Sequence, residues 1–201
     1  MTTAALSDEA LVAKAREGDK SAFDALVLRH QAKAVLIAQG VLRNFELAKD
    51  ASQNAFAKAY FGLKHFREEA NFKTWLFKIV LNEARDVYRK EKARGLFKFQ
   101  TNRETEEGEE SILEAVPATT ASPREVFEAK EAKERLERAL NRLPERERGV
   151  FILRYLNDLS LAEIAETLGM ALGTVKAHLA HGNERLKTVL VAQGQSVKMT
   201  Q

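Results

Sequence analysis

The chain has 201 residues, 45% of them hydrophobic and 30% charged, with a formal net charge of +3. That balance fits one or two soluble globular domains, and with no run near the roughly 20 apolar residues of a spanning helix and no basic start leading into an apolar stretch, the expectation is a cytoplasmic protein without membrane insertion. Cysteine is absent, which removes disulfides, thiolate nucleophiles and the common structural zinc sites together; as no catalytic dyad stands out among the plentiful acidic residues either, no catalytic residue, metal or cofactor is expected.

The N-terminal half reads as helices. A short leading helix falls around Glu9 to Arg16, and Asp19 or Ser21 can cap a long one with Phe23, Leu26, Val27, Val35, Ile37 and Val41 as its apolar positions. The segment ELAKDASQNAFAKAYFGLKHF sets Ala48, Ala51, Ala55 and Ala59 on one narrow face beside Phe56, Tyr60 and Leu63, and small residues permit close helix packing. Asn71 opens a further helix, with Phe72, Trp75, Leu76, Ile79, Val80 and Val87 as its expected buried stripe. On an adjoining face come Lys78, Asn82, Arg85 and Arg89. Such a track suits a nucleic-acid strand: Lys and Arg hold phosphates, Asn82 is free to pair with a base edge, and Phe66, Phe72 or Trp75 can stack on bases. A solvated face over an ordinary core would carry similar charges for a blander reason.

From Lys73 to Lys98 basic residues dominate, and then Glu104, Glu106, Glu107, Glu109, Glu110 and Glu114 follow with no Lys or Arg among them. With Pro117 and Pro123 bracketing a small-residue stretch, this reads as a flexible acidic linker. Ser122, Pro123 and Glu125 then mark a helix start, and Pro144 stops that helix near Leu143 and opens the next, PERERGVFILRYL, which Asn157 and Asp158 end. The run DLSLAEIAETLGMALGTVKAHLAHGNER reads as a helix-turn-helix. Ser160 and Glu163 form a capping box, Gly169 supplies the left-handed stop, and Leu172, Val175, Leu179 and Leu186 stripe the second helix. Its opposite face carries Thr174, Ala177, Ala180 and His181, flanked by Lys176 and His178, groups suited to a helix laid in the major groove. His178 and His181 lack an obvious third metal ligand.

The strings DASQNAFAKAYFGLKHFREEANFKTWLFKIVLNEARDVYRKEKAR and LNRLPERERGVFILRYLNDLSLAEIAETLGMALGTVKAHLAHGNERL resemble regions two and four of bacterial RNA polymerase sigma factors, in the order and spacing of the extracytoplasmic-function (ECF) group of the sigma-70 family. The resemblance covers Leu11 to about Leu190 and implies an all-α fold of two small helical domains: a region-two-like domain at 1–95, a flexible acidic linker at 96–121, a region-four-like domain at 122–190 and a tail at 191–201. It implies core RNA polymerase and promoter DNA, both duplex and melted non-template strand, as partners, with an anti-sigma factor as a further candidate.

By the same resemblance, Asp50, Gln53, Asn54 and Phe56 belong to a polymerase-docking segment, in which Asn54 stands where the family usually has an acidic residue. Phe66, Phe72, Lys73, Trp75, Lys78, Asn82, Arg85 and Arg89 fall where the family captures a flipped base of the minus-ten element and holds the melted strand. Thr174, Lys176, Ala177, His178, His181 and Arg185 fall on the helix that reads the minus-thirty-five element, with Arg185 expected on the DNA backbone. Many relatives carry Arg, Ser and Arg where Lys176, Ala177 and His181 stand, so bidentate guanine reading by Arg is missing at those places. Two other classes fit a helix-turn-helix, a dimeric duplex-binding regulator and a protein-binding adaptor, but neither needs the Trp75, Asn82 and Arg89 track.

Overall fold

The computed structural model describes residues 6–66, 71–94 and 123–192. The expected acidic linker, the Ser122 cap, loop residues 67–70 and nearly all of the tail lie outside them.

Side-chain caps set the helix starts. The Ser7 hydroxyl accepts from the Ala10 amide at 3.3 Å and opens α1 (Asp8–Arg16). Asp19, rather than Ser21, caps α2 (Lys20–Leu42) by accepting from the Ser21 and Ala22 amides at 2.9 and 3.3 Å. Asn44 caps α3 (Phe45–Gly62) through the Leu47 amide, and Asn71 caps α4 (Phe72–Ala93) through the Lys73 amide, both at 2.9 Å. Helices α2, α3 and α4 pack on one another, with α1 laid across α2. Asp8 ties α1 to α2 by pairing with Arg29 at 2.5 Å and with the His30 ring at 2.7 Å. The alanine face is fully buried, with Ala48, Ala51, Ala55 and Ala59 all in the core, so α3 approaches its neighbours closely.

The C-terminal group comprises α5 (Pro123–Asn141), α6 (Glu145–Phe151), a π-helical turn (Ile152–Leu156) continuing α6, α7 (Leu161–Leu168) and α8 (Leu172–Ala192). Helix α5 packs on α8, and Ala139, Leu140, Leu143, Phe151, Leu186 and Leu190 form a small core. The chain turns at Asn157 and Asp158: the buried Asn157 amide donates to the Ile152 carbonyl at 3.1 Å, and Asp158 takes a positive φ of 54°. The capping box is present in both directions, and Gly169 stops α7 at φ 63°.

The two helical groups share one core. Val150, Leu153, Leu159, Ile164 and Val175 join the same apolar cluster as the α1–α4 residues. The expected stripe of α4 is corrected accordingly. Phe77, Leu81 and Ala84 are buried, whereas Trp75, Ile79 and Val87 are only partly so. The α4 flank carrying Leu81 is covered in part by the second group, since Leu81 lines a cavity with Leu168 and Met170. Leu172 also departs from its expected burial and stays 43% exposed.

Candidate nucleic-acid interface

At about 100° per residue, Lys78, Asn82, Arg85 and Arg89 fall within an arc of about 60° on α4. Lys78, Asn82 and Arg89 are exposed there and Arg85 is half-buried. Arg89 is held by Asp86 one turn back, while Arg85 lines the cavity between the two helical groups. Lys73 lies on a different side of α4 and pairs with Glu163 of α7 at 3.6 Å. The expected aromatic platform is corrected: Phe66 and Phe72 are buried core residues. Trp75 packs on both, with ring centroids 4.8 and 5.9 Å away, and only Trp75 keeps part of its surface open beside the track. Stacking on Phe66 or Phe72 would require the core to open, so their place here is to seat Trp75.

On α8, Thr174, Lys176, Ala177, Ala180 and His181 are exposed on the side away from the buried Val175 and Leu186. His178 is half-buried at the edge of that face, and Leu179 packs against the core. Arg185 is turned back and pairs with the buried Glu147 of α6 at 3.1 Å, so in this arrangement its Nε is engaged within the protein. The helix-turn-helix is set from below by α7, whose Ser160 amide donates to the Glu163 carboxylate at 2.8 Å while the Glu163 amide donates to the Ser160 hydroxyl at 3.2 Å. Burial pushes the Glu163 carboxyl upward, but the Ser160 amide and hydroxyl and the Lys73 ammonium together hold it below the ordinary range.

Helix α3 presents a third surface. Asp50, Gln53 and Asn54 are exposed on its outer face, whereas Phe56 is 7% exposed and packs into the core on the other side. The docking role expected of the Phe56 side chain is therefore corrected, since a partner cannot reach it. The sequence reading missed Phe61, which is 77% exposed and lies within about 20° of Asp50 around the helix, between Ala57 and Asn54. Helical spacing alone could have found it, one turn beyond Ala57 and two beyond Asn54.

Between the two groups runs a seam in which α6, the π turn and α7 pack on α2 and α4. Arg148 of α6 is 2% exposed, and its Nε donates to the Gly40 carbonyl of α2 at 2.6 Å. Its Nη1 meets no acceptor among the described residues. Burial, assisted by the nearby Arg43 charge, brings the guanidinium down to about 10 from 12.5, so it stays cationic at neutral pH. Keeping it charged there costs on the order of 3 kcal/mol. Gly40 fits the seam for a steric reason: a Cβ at that position would lie 2.4 Å from Ile152 Cδ1. Lys33 and Asp158 pair at 3.0 Å at the rim, and with Lys73 and Glu163 they make two partly exposed ties, each worth at most about 1 kcal/mol.

Among the described residues no helix is long and apolar enough to cross a membrane, and no three His, Asp or Glu residues are grouped to hold a metal.

The sigma-70 region 2 family matches residues 26–94, and the sigma-70, region 4 family matches residues 133–186. The ECF RNA polymerase sigma factor SigM of Mycobacterium tuberculosis is 33% identical over 184 residues, covering 92% of this chain and 85% of the relative. The RNA polymerase sigma-H factor of Pseudomonas aeruginosa is 30% identical over 185 residues, covering 91% and 93%. Among solved structures, CnrH in complex with the cytosolic domain of CnrY superimposes with a TM-score of 0.66 at 25% identity, covering 92% of this chain and 97% of that one.

Proposed function

The chain belongs to the extracytoplasmic-function sigma factors of the sigma-70 family, which bind core RNA polymerase, recognise the minus-thirty-five and minus-ten promoter elements and promote melting, and from that premise we propose how its residues divide the work. Lys78, Arg85 and Arg89 hold phosphates of the melted non-template strand, Asn82 touches a base edge, and Trp75 supplies the stacking surface. Thr174, Lys176, Ala177 and His181 enter the major groove at the minus-thirty-five element, with His178 at the rim. Asp50, Gln53 and Asn54, together with Phe61, form the polymerase-docking face.

The observation that carries this reading is the pairing, on one chain, of an exposed cationic track on α4 with an exposed small-residue and cationic face on α8. Unstacking a base costs a few kcal/mol, which stacking and hydrogen bonds to the displaced base offset, so the chain contributes binding energy and no covalent chemistry of its own. It acts where core polymerase is, in the cytoplasm. An anti-sigma partner remains part of the proposal, on the strength of the family.

The test is promoter binding by the complex with core polymerase, followed on duplex and on pre-melted templates. Lys176→Ala should weaken binding to both, because the minus-thirty-five element is duplex in each. Asn82→Ala should alter base preference in the minus-ten element alone. Identical losses from both substitutions on a template lacking either element would contradict this division.

A further inference from the structure

We infer that Glu147 of α6 sets the strength of duplex binding by α8: its carboxylate withholds the Arg185 guanidinium from the phosphate backbone, and the hold on the minus-thirty-five element is left to the side chains that face the bases. The inference rests on the reading of α8 as the helix that enters the major groove. It deepens that reading by giving a residue outside the groove, acting through Arg185, a part in the affinity.

Helix geometry puts Arg185 where a backbone contact would be expected. At about 100° per residue, Thr174, His178, His181 and Arg185 of α8 fall within an arc of about 60°, with Arg185 one turn beyond His181. A long cationic side chain at the end of a groove-facing row ordinarily reaches a phosphate. Here it is held elsewhere. The Arg185 Nε lies 3.1 Å from Glu147 Oε2, although 60% of the Arg185 side chain is exposed. Gly182, one turn before Arg185, lets the two helices meet closely at this point. A Cβ there would lie 3.6 Å from Glu147 Cβ and 3.7 Å from the Glu147 carbonyl oxygen, so a longer side chain would press on Glu147.

The balance of energies keeps Arg185 on Glu147. Glu147 is buried, and its Oε2 is shut off from water with no hydrogen bond among the described residues. Taking the guanidinium away would leave that carboxylate uncompensated in the interior. The penalty exceeds what a phosphate contact returns, because the phosphate stands in water and salt. The frame also gives α8 little freedom to carry Arg185 off. Asn183 Nδ2 donates to the Tyr155 hydroxyl of the π turn at 3.1 Å, and Leu186 lies in the small core with Phe151. A phosphate contact adds affinity for every sequence alike, whereas base contacts discriminate. By keeping one such contact out, Glu147 leaves upstream binding dependent on Thr174, Lys176, Ala177 and His181.

The test is promoter binding by the full chain in complex with core polymerase, on fragments carrying the cognate minus-thirty-five element or a single-base variant of it, over a range of salt. Glu147→Gln keeps the shape of the side chain and lifts its charge, so Arg185 is released. Binding should rise several-fold at low salt on both fragments, and the salt dependence should steepen by about one counterion. Adding Arg185→Ala to Glu147→Gln should return both to the native values. Glu147→Met, an apolar replacement of similar length, should give the same gain, and thermal melting of each free chain identifies a variant that fails to fold. No gain from whichever of the two folds would overturn the inference, as would a gain confined to the cognate element, which marks base reading. A double variant that binds below the native level would also overturn it, because Arg185 would then already stand on the backbone. Lys176→Ala, measured alongside, separates this inference from the reading beneath it. If Lys176→Ala leaves cognate binding unchanged, α8 is not in the groove and both fall; a loss from Lys176→Ala with no gain from Glu147→Gln overturns the role of Glu147 alone.

Discussion

Lys78 and Asn82 stand one turn apart on α4, both exposed, yet they should fail in different ways. Lys78→Ala removes a phosphate contact, so affinity for the melted strand should drop across all sequences and the salt dependence should flatten by roughly one counterion. Asn82→Ala should instead relax preference at one position of the minus-ten element, read by comparing single-base variants of the template. Phe56 and Phe61 form a second contrast. Phe56→Ala empties a core position and should cost about 3–5 kcal/mol in denaturant unfolding. Phe61→Ala should leave stability within about 0.5 kcal/mol and weaken core polymerase binding several-fold in a competition assay. The track on α4 was legible in the sequence because polar residues at helical spacing define a face by themselves. The burial of Phe56 and Phe66 was not, and Phe72 was legible both as a buried stripe position and as a stacker, because aromatic type fits a core, a docking face and a stacking platform equally well. Only the packed neighbours distinguish them.

Helix α7 depends on its first turn. Ser160→Ala removes the cap and should cost about 1 kcal/mol of C-terminal stability, seen as a lower thermal midpoint. Glu163 makes that turn pH-sensitive. Its folded carboxyl is held below the ordinary range, so its contribution is present above the unfolded value and fades as pH falls through the lowered one. Asp8 behaves alike: burial raises it, but the His30 and Arg29 partners bring it down on balance. Glu163→Gln should therefore lower the thermal midpoint at pH 7 and shrink the further loss on acidification, a difference read by melting both proteins at neutral and acid pH. On α8, Lys176→Ala should cost on the order of 1–3 kcal/mol on the cognate minus-thirty-five element and much less on a scrambled one. Leu186→Ala should cost about 2–5 kcal/mol of stability without touching DNA. Caps and the Gly169 stop were readable because their chemistry is local, confined to residues within one turn. The exposure of Leu172 and the turn of Arg185 towards Glu147 were not, since both depend on what lies across the tertiary fold.

At the scale of the whole molecule, the all-α class and its two helical groups follow from apolar periodicity and breakers, both of which the chain displays plainly. The shared core does not. A pattern shows that a flank of α4 carrying Phe77, Leu81 and Ala84 is apolar in part, but it cannot name the second group as what lies against it. Nor does any local rule assign Arg148, a residue type usually at the surface, to a buried seam on Gly40. The most direct measurement of the central claim is run-off transcription by the purified chain with core polymerase, on templates carrying both promoter elements at their native separation and with about 5 base pairs, half a helical turn, inserted between them. Transcripts should appear only when the chain is added and should fall at least tenfold with the insertion, because the two DNA-reading helices must engage their elements at a fixed spacing. No stimulation of core polymerase, together with tight sequence-specific binding of duplex DNA by the chain alone, would contradict it.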